Sequence, residues 1–154
     1  MGRSKGWVGV DLDGTLAYYH GWKGPGHVGD PILSMVEKVK QWIAEGQFDV
    51  KIFTARVSER DAEELAIVTH AIEEWCLLHI GVILPITCTK DYAMVELWDD
   101  RAVQVISNQG RTLLEENALL FTKLSGLQGA IQRWWVNGDN EALFEYYQKL
   151  RLPT

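Results

Sequence analysis

Apolar residues along this chain fall into short unbroken runs that alternate with longer stretches of helical spacing. The run Trp7-Val8-Gly9-Val10 leading into Asp11 predicts a first strand over Trp7–Asp11. The glycine-rich stretch from Tyr18 to Gly29 predicts a long, turn-filled loop or small hairpin. Asp30 followed by Pro31 reads as a cap and first helical residue. The stripe Ile32, Met35, Val36, Val39, Trp42 and Ile43 then has helical spacing, and Gly46 stops it. Phe48–Phe53 reads as a second strand, ending at Thr54. Ser58 opens a long helix with Glu59, Asp61, Glu63 and Glu64 near its positive end. That helix is expected to bury Leu65, Val68, Ile72, Trp75 and Cys76 and to end at Gly81.

A short strand is expected around Ile86–Cys88, then Lys90, then a strand over Met94–Trp98 that runs into Asp99-Asp100. Ala102–Ile106 reads as one further strand. Thr112 and Glu115 form a capping box ahead of Leu113, Leu114, Leu120, Phe121 and Leu124. A last helix from about Asn140 places Leu143, Tyr147 and Leu150 on one face. Strands alternating with helices predict an α/β fold. The sheet is mostly parallel with helices on both faces, a Rossmann-like three-layer α/β/α sandwich. Ligands of such sheets bind outside the carboxyl ends of the strands. Asp11, Thr54, Lys90 and Asp99 all fall there.

Composition narrows this picture. The 154 residues suit a single domain, with a core over about 7–106 and a helical C-terminal extension over about 107–154. With 47% hydrophobic and 23% charged residues, a soluble globular protein is expected. The net charge of −6 and the lack of any Lys/Arg run disfavour a general nucleic-acid surface, while leaving room for a local basic groove. Cys76 and Cys88 lack metal-ligand spacing and lie in apolar stretches, as buried reduced thiols of a cytoplasmic protein would. The polar start at Met1 to Lys5 leads into no leader or membrane span, so no membrane partner is expected.

The chemistry centres on Asp11-Leu12-Asp13-Gly14-Thr15. Two carboxylates two residues apart, between a strand and a glycine turn, can face one pocket. One can attack phosphorus while the other moves a proton. A calcium loop shares these letters but needs a Glu at its end, where this chain carries His20-Gly21-Trp22. A phosphate monoester repels a carboxylate, so a cation must stand between them. Magnesium, held by one or two carboxylates with substrate oxygens and waters, is the usual answer. Asp11 and Asp99 could supply those carboxylates, with Asp100 as a further ligand and Asp13 through its backbone carbonyl. Lys90 could neutralise the phosphoryl group as a point charge. The hydroxyl and backbone N–H of Thr54, beside Ala55, could orient one phosphoryl oxygen. Asp13, as acid and then base, must spend part of its cycle protonated.

Val10-Asp11-Leu12-Asp13-Gly14-Thr15-Leu16, Ile52-Phe53-Thr54-Ala55-Arg56, Lys90 and Trp98-Asp99-Asp100 resemble, in order, the four motifs of the haloacid dehalogenase-like (HAD) superfamily. The likeness covers about residues 7–106. It is strongest to small phosphatase-like members without a large cap, many of them encoded by phages and prophages. It implies a HAD-like fold with a minimal cap. By the same resemblance Asp11 is the nucleophile, Asp13 the acid/base, Thr54 and Lys90 the phosphate ligands, and Asp99 a magnesium ligand. The second aspartate favours a phosphatase over a dehalogenase. Two departures are visible. Asp91 follows Lys90 where small relatives often carry Pro, and the interval from Lys90 to Asp99 is short for a helix. Lys51 is the alternative cation, inside a strand.

Together these features predict a magnesium-dependent phosphomonoester hydrolase working through an aspartyl-phosphate. The alternatives are a non-catalytic binding module of the same fold and a phosphotransferase to an acceptor other than water. An open site suits a macromolecular phosphate end. A small nucleotide or sugar phosphate suits it equally if an oligomeric partner, as in a homodimer, covers the cleft. Arg56 is expected to pair with an acid such as Asp61, and His70 and His79 to serve surface or packing. His20 and His27, in the loop after the nucleophile, could meet substrate. Trp42 and Trp75 belong to helix faces and the core, whereas Trp22 could face the substrate. For Trp134-Trp135, an interface competes with docking onto the core.

Overall fold

The computed structural model describes residues 5–138 and 140–151; the side chains of Tyr147, Lys149, Leu150 and Arg151 lie outside that description. The polar start at Met1–Ser4 and the expected positions of Tyr147 and Leu150 on the last helix face are therefore outside the described parts. The chain divides into two compact units between Ala102 and Val103, close to the predicted start of the extension.

The first unit is α/β. Strands β1 (Trp7–Asp11), β2 (Asp49–Phe53), β3 (Ile86–Thr87) and β4 (Met94–Trp98) form one parallel sheet in the order β3-β2-β1-β4. Helix α1 (Leu33–Glu45) joins β1 to β2, and α2 (Ala62–His79) joins β2 to β3. Alternation along β1 and β2 turns Val8, Val10, Val50 and Ile52 to one face. There they share a core with Met35, Val36 and Val39 of α1 and Val68, Ile72, Trp75 and Cys76 of α2. Both helices thus serve the same face, as two successive right-handed crossovers in one direction require.

The expected helices on both faces are not found in this unit. Only residues 88–93 join β3 to β4, and a helical crossover needs a dozen or more residues. This short connection reaches the face opposite the helices. Trp7 Nε1 donates to Asp91 Oδ1 at 2.7 Å, and Lys51 Nζ lies 3.8 Å from Asp91 Oδ2 and 4.1 Å from the Trp7 ring centre. Trp7 itself is buried.

Several boundaries differ from the sequence expectation. Helix α1 begins at Leu33 rather than at Pro31, and its cap Ile32 makes no side-chain bond. Asp30 and Pro31 are held extended because Tyr18 N–H donates to Asp30 O and Ile32 N–H to Leu16 O. Helix α2 begins at Ala62, capped by Asp61, whose side chain accepts from Glu64 N–H. Ser58 instead closes a 3-10 turn over Ala55–Val57. Leu65, expected in the core, is exposed on the first turn of α2. Gly46 ends α1 as expected, at φ 63° with its N–H on Trp42 O.

The second unit contains α3 (Leu113–Asn137) and α4 (Asn140–Arg151). The Thr112–Glu115 capping box forms in full and starts α3. The strand expected over Ala102–Ile106 is absent. Val105 and Thr112 make a single antiparallel bridge, and Val103 and Val105 are exposed with no sheet beside them to pair with.

Candidate active site

Register brings the polar strand ends level. Asp11 pairs with Phe53, so Thr54 lies one step beyond it, and Val10 pairs with Trp98, so Asp99 emerges beside Asp11. Beyond β1 the chain turns tightly: Leu16 and Ala17 N–H both donate to Leu12 O, and Gly14 N–H to Ala17 O. Leu12, Leu16 and Ala17 are buried and anchor this turn in the core. Gly14 has φ +95°, and a Cβ on it would stand 2.7 Å from Asp100 Oδ2. Only glycine meets both conditions. Thr15 Oγ1 accepts from Asp100 N–H at 3.0 Å, tying the β1 turn to the end of β4.

Asp11, Asp99 and Asp100 each offer a carboxylate oxygen, and these lie within 4.8 Å of one another. They are the one such group of potential metal ligands among the described residues. Burial pushes the Asp11 carboxyl up to about 7, and the charges of Asp99, Asp100 and Asp13 push the same way, against a hydrogen bond from Leu12. Hard carboxylate oxygens gathered around an Asp11 that resists ionisation form a group that could hold a metal ion.

Asp13 is held differently. Both its oxygens bind Arg56, Oδ2 to Nε at 2.5 Å and Oδ1 to Nη2 at 2.6 Å. Arg56 is only 5% exposed, and its Nη1 donates to His27 O at 2.7 Å. The pairing expected between Arg56 and Asp61 is replaced by this one, since Asp61 is committed to capping α2. The Asp13 carboxylate, held by Arg56, is not one of the three that converge; the ligand expected from this residue is its backbone carbonyl, which that convergence does not involve. Thr54 is buried, and its Oγ1 accepts from Arg56 N–H at 3.2 Å. Its own N–H donates to Thr87 O at 2.9 Å, so the backbone donor expected for a phosphoryl oxygen is already used in the sheet. That leaves the hydroxyl as the Thr54 donor available to a ligand.

These groups line an open cleft of about 290 Å³. Its walls include Asp11, Asp13, Asp99, Thr54 and Ala55, with Arg56, Arg60 and Arg101 as cations and Tyr19, Trp22 and Phe53 as aromatics. Trp22, on the glycine-rich loop, has the guanidinium carbons of Arg56 and Arg60 at 5.1 and 5.0 Å from its ring centre. Arg60, Arg101 and Tyr19 were not singled out from the sequence. The signal lay in their position: Arg101 directly follows Asp99-Asp100, and Arg60 stands four residues past Arg56.

Lys90 is exposed and does not line the cleft. Lys51 turns to Asp91 and Trp7 on the helix-free face. His27 contributes its carbonyl rather than its ring, and the His20 ring stacks on Tyr18. His70 pairs with Glu74, and His79 packs on Trp75. Cys76 is buried and Cys88 half-buried, both as free thiols. No described helix is long and apolar enough to cross a membrane. Comparison with protein-family models, curated proteins and solved structures returned no match.

Proposed function

We propose that this protein is a magnesium-dependent phosphomonoester hydrolase of HAD-like type, with Asp11 as nucleophile. The observation that carries the reading is the convergence of Asp11, Asp99 and Asp100 within 4.8 Å at the carboxyl edge of a parallel sheet, with Asp11 and Asp99 lining a cleft that also holds Asp13 and three arginines. That edge is where such sheets bind ligands. Asp11, Asp99 and Asp100 would hold the cation, which when bound neutralises carboxylate and phosphoryl charge together.

In the proposed reaction an Asp11 carboxylate oxygen bonds to phosphorus as the bond from phosphorus to the leaving oxygen breaks. The leaving oxygen takes a proton from Asp13. Water then attacks the aspartyl-phosphate, returning its proton to Asp13 and freeing Asp11 and inorganic phosphate. In this reading Arg56, Arg101 and the Thr54 hydroxyl, all of them in the cleft wall, meet the phosphoryl group. For the acid role, one of the Asp13 oxygens must leave Arg56. In this reading Arg56 and its neighbours take over the charge expected of Lys90. The soluble, membrane-free character and a phosphorylated substrate belong to the same proposal.

A binding-only reading draws on one observation: Arg56 occupies both oxygens of the supposed acid/base. Phosphate release from para-nitrophenyl phosphate, nucleotides and sugar phosphates separates the two. Each is measured with magnesium and with EDTA, beside Asp11→Asn. Release that requires magnesium and is lost in Asp11→Asn is the expected result. Absence of release from every substrate, in folded protein that still binds magnesium, overturns hydrolysis in favour of binding. Alcohol acceptors in the same assay detect transfer to an acceptor other than water.

A further inference from the structure

Helix α3 carries a feature that the cleft does not use. Across its 25 residues, Leu113, Leu120, Leu127 and Trp134 recur every seventh position. Asn117, Leu124 and Ile131 recur at the same interval, four residues after the preceding member of the first set. Together they make an unbroken 4-3 spacing over three heptads, the a and d seam of a coiled coil, with one asparagine among the a positions. The described contacts of helix α4 are with other positions of α3. It packs on a separate stripe, where a Cβ on Gly126 would stand 2.6 Å from the Tyr146 ring, Ala130 is buried, and the Tyr146 hydroxyl donates to Lys123 O. At 100° per residue, Lys123 lies roughly 70° and Gly126 roughly 130° around the helix from the middle of the seam.

Most of the seam is exposed, with Leu127 its half-buried member. Leu120 and Leu124 are each more than half exposed, and the flanking Leu114, Phe121 and Trp135 are 78%, 72% and 79% exposed. The seam runs along a helix of about 37 Å, and a standard stable interface takes roughly 800 Å² from each partner.

We propose that α3 is a self-association helix, pairing with α3 of a second copy of this chain in a parallel, in-register coiled coil. Asn117 identifies the occupant. In a parallel pair the two Asn117 side chains meet and their amides satisfy one another. In an antiparallel pair each Asn117 would face an apolar residue near the other end of the seam, at the cost of an unpaired buried amide. A helix of unrelated sequence would need its own polar residue at that level. A second copy has it by construction. The proposal is independent of the chemistry assigned to the cleft.

Analytical ultracentrifugation of the full chain tests it. The expected species has twice the 17.5 kDa mass of the chain at low micromolar concentration. Leu120→Glu/Leu124→Glu is expected to halve that mass while circular dichroism keeps the α/β signature. Asn117→Cys under mild oxidation is expected to give a disulfide-linked dimer, with the wild-type chain, which holds only Cys76 and Cys88, as the control. A chain that stays monomeric at about 100 µM overturns the proposal, as does a dimer that survives the double substitution. A dimer in which Asn117→Cys does not cross-link overturns the parallel register. The cysteine substitution leaves the apolar seam intact, so it decides the matter even if the double variant unfolds.

Discussion

Arg56 holds both carboxylate oxygens of Asp13 while its third arm reaches the carbonyl of His27. A single buried guanidinium thus fixes the acid/base candidate, the 3-10 turn after β2 and the glycine-rich loop. The fork geometry is specific to arginine. Arg56→Ala strands Asp13 in a half-buried site and is expected to destabilise the first unit by about 3 kcal/mol, as breaking a buried pair does. Asp13→Ala/Arg56→Ala should cost less than the sum of the two single changes, because each removes the same pair. Chemical denaturation of the four proteins reads this directly. Strict additivity would show that the two side chains do not act together.

Asp11 makes a prediction of opposite sign. Burial and the charges of Asp99, Asp100 and Asp13 raise its carboxyl to about 7 from 3.8. A raised folded-state value means that its contribution to stability is complete below 3.8 and is lost as pH rises through 7. Without a divalent cation, the folded protein is therefore penalised at pH 8 by the charge it must carry there. Asp11→Asn removes that penalty. After discounting for the partial exposure of the group, the gain is on the order of 1–2 kcal/mol, or roughly 5 °C in Tm. Scanning fluorimetry in EDTA should find the variant more stable than wild type at pH 8 and equal to it at pH 4. Magnesium should then raise the wild-type Tm and leave the variant unmoved. A variant less stable than wild type at pH 8 in EDTA would refute the penalty that burial and the neighbouring carboxylates place on the Asp11 charge.

Where an apolar run was bounded by polar residues, the sequence was sufficient. Strands β1 and β4 have the predicted limits, and with them Asp11 and Asp99 stand at the predicted edge. The errors fall where a distant partner overrode a local signal. Asp30-Pro31 has the form of a helix start, yet backbone bonds to Leu16 and Tyr18 keep it extended. Arg56 has Asp61 five residues away in sequence and takes Asp13, 43 residues away, because β1 and β2 lie side by side. The helices on both faces followed from the alternation of elements, but six residues between β3 and β4 cannot form one. The same short connection leaves Lys90 outside the cleft lining. Arg101 and Arg60 stood at readable positions, next to Asp99-Asp100 and four residues past Arg56, whereas no local pattern marked Tyr19, whose place depends on which loops meet above the sheet.

The two cysteines should separate under alkylation. Burial pushes the Cys76 thiol up to about 11, with Glu73 acting in the same direction. The thiolate is the reactive form, so Cys76 should resist iodoacetamide at pH 8 in folded protein while half-buried Cys88 is modified. Because the folded value lies above the ordinary 9.0, the stabilising contribution of this thiol is present below pH 9 and fades as pH approaches 11. Peptide mapping after a timed pulse should find label at Cys88 alone. Equal labelling at both sites would mean that α2 opens from the sheet far more readily than its core contacts allow.

Gly14 couples backbone strain to the carboxylate cluster. At φ +95° an alanine is strained whatever the space available, and its Cβ would meet Asp100 Oδ2 at 2.7 Å. Asp100 has a movable side chain and can turn away, but doing so takes one carboxylate out of the group formed with Asp11 and Asp99. Gly14→Ala should therefore lower stability by about 1–3 kcal/mol through the backbone. It should also weaken magnesium binding by roughly tenfold, since each carboxylate oxygen counts in a site with so few. Asp100→Asn supplies the comparison, because it removes the charge and leaves the backbone relaxed. Calorimetric titration of magnesium into both variants should show a similar loss of affinity, with only Gly14→Ala losing stability in the metal-free protein. If Gly14→Ala binds magnesium as wild type does, Asp100 is not a ligand and Asp11 and Asp99 must hold the ion without it.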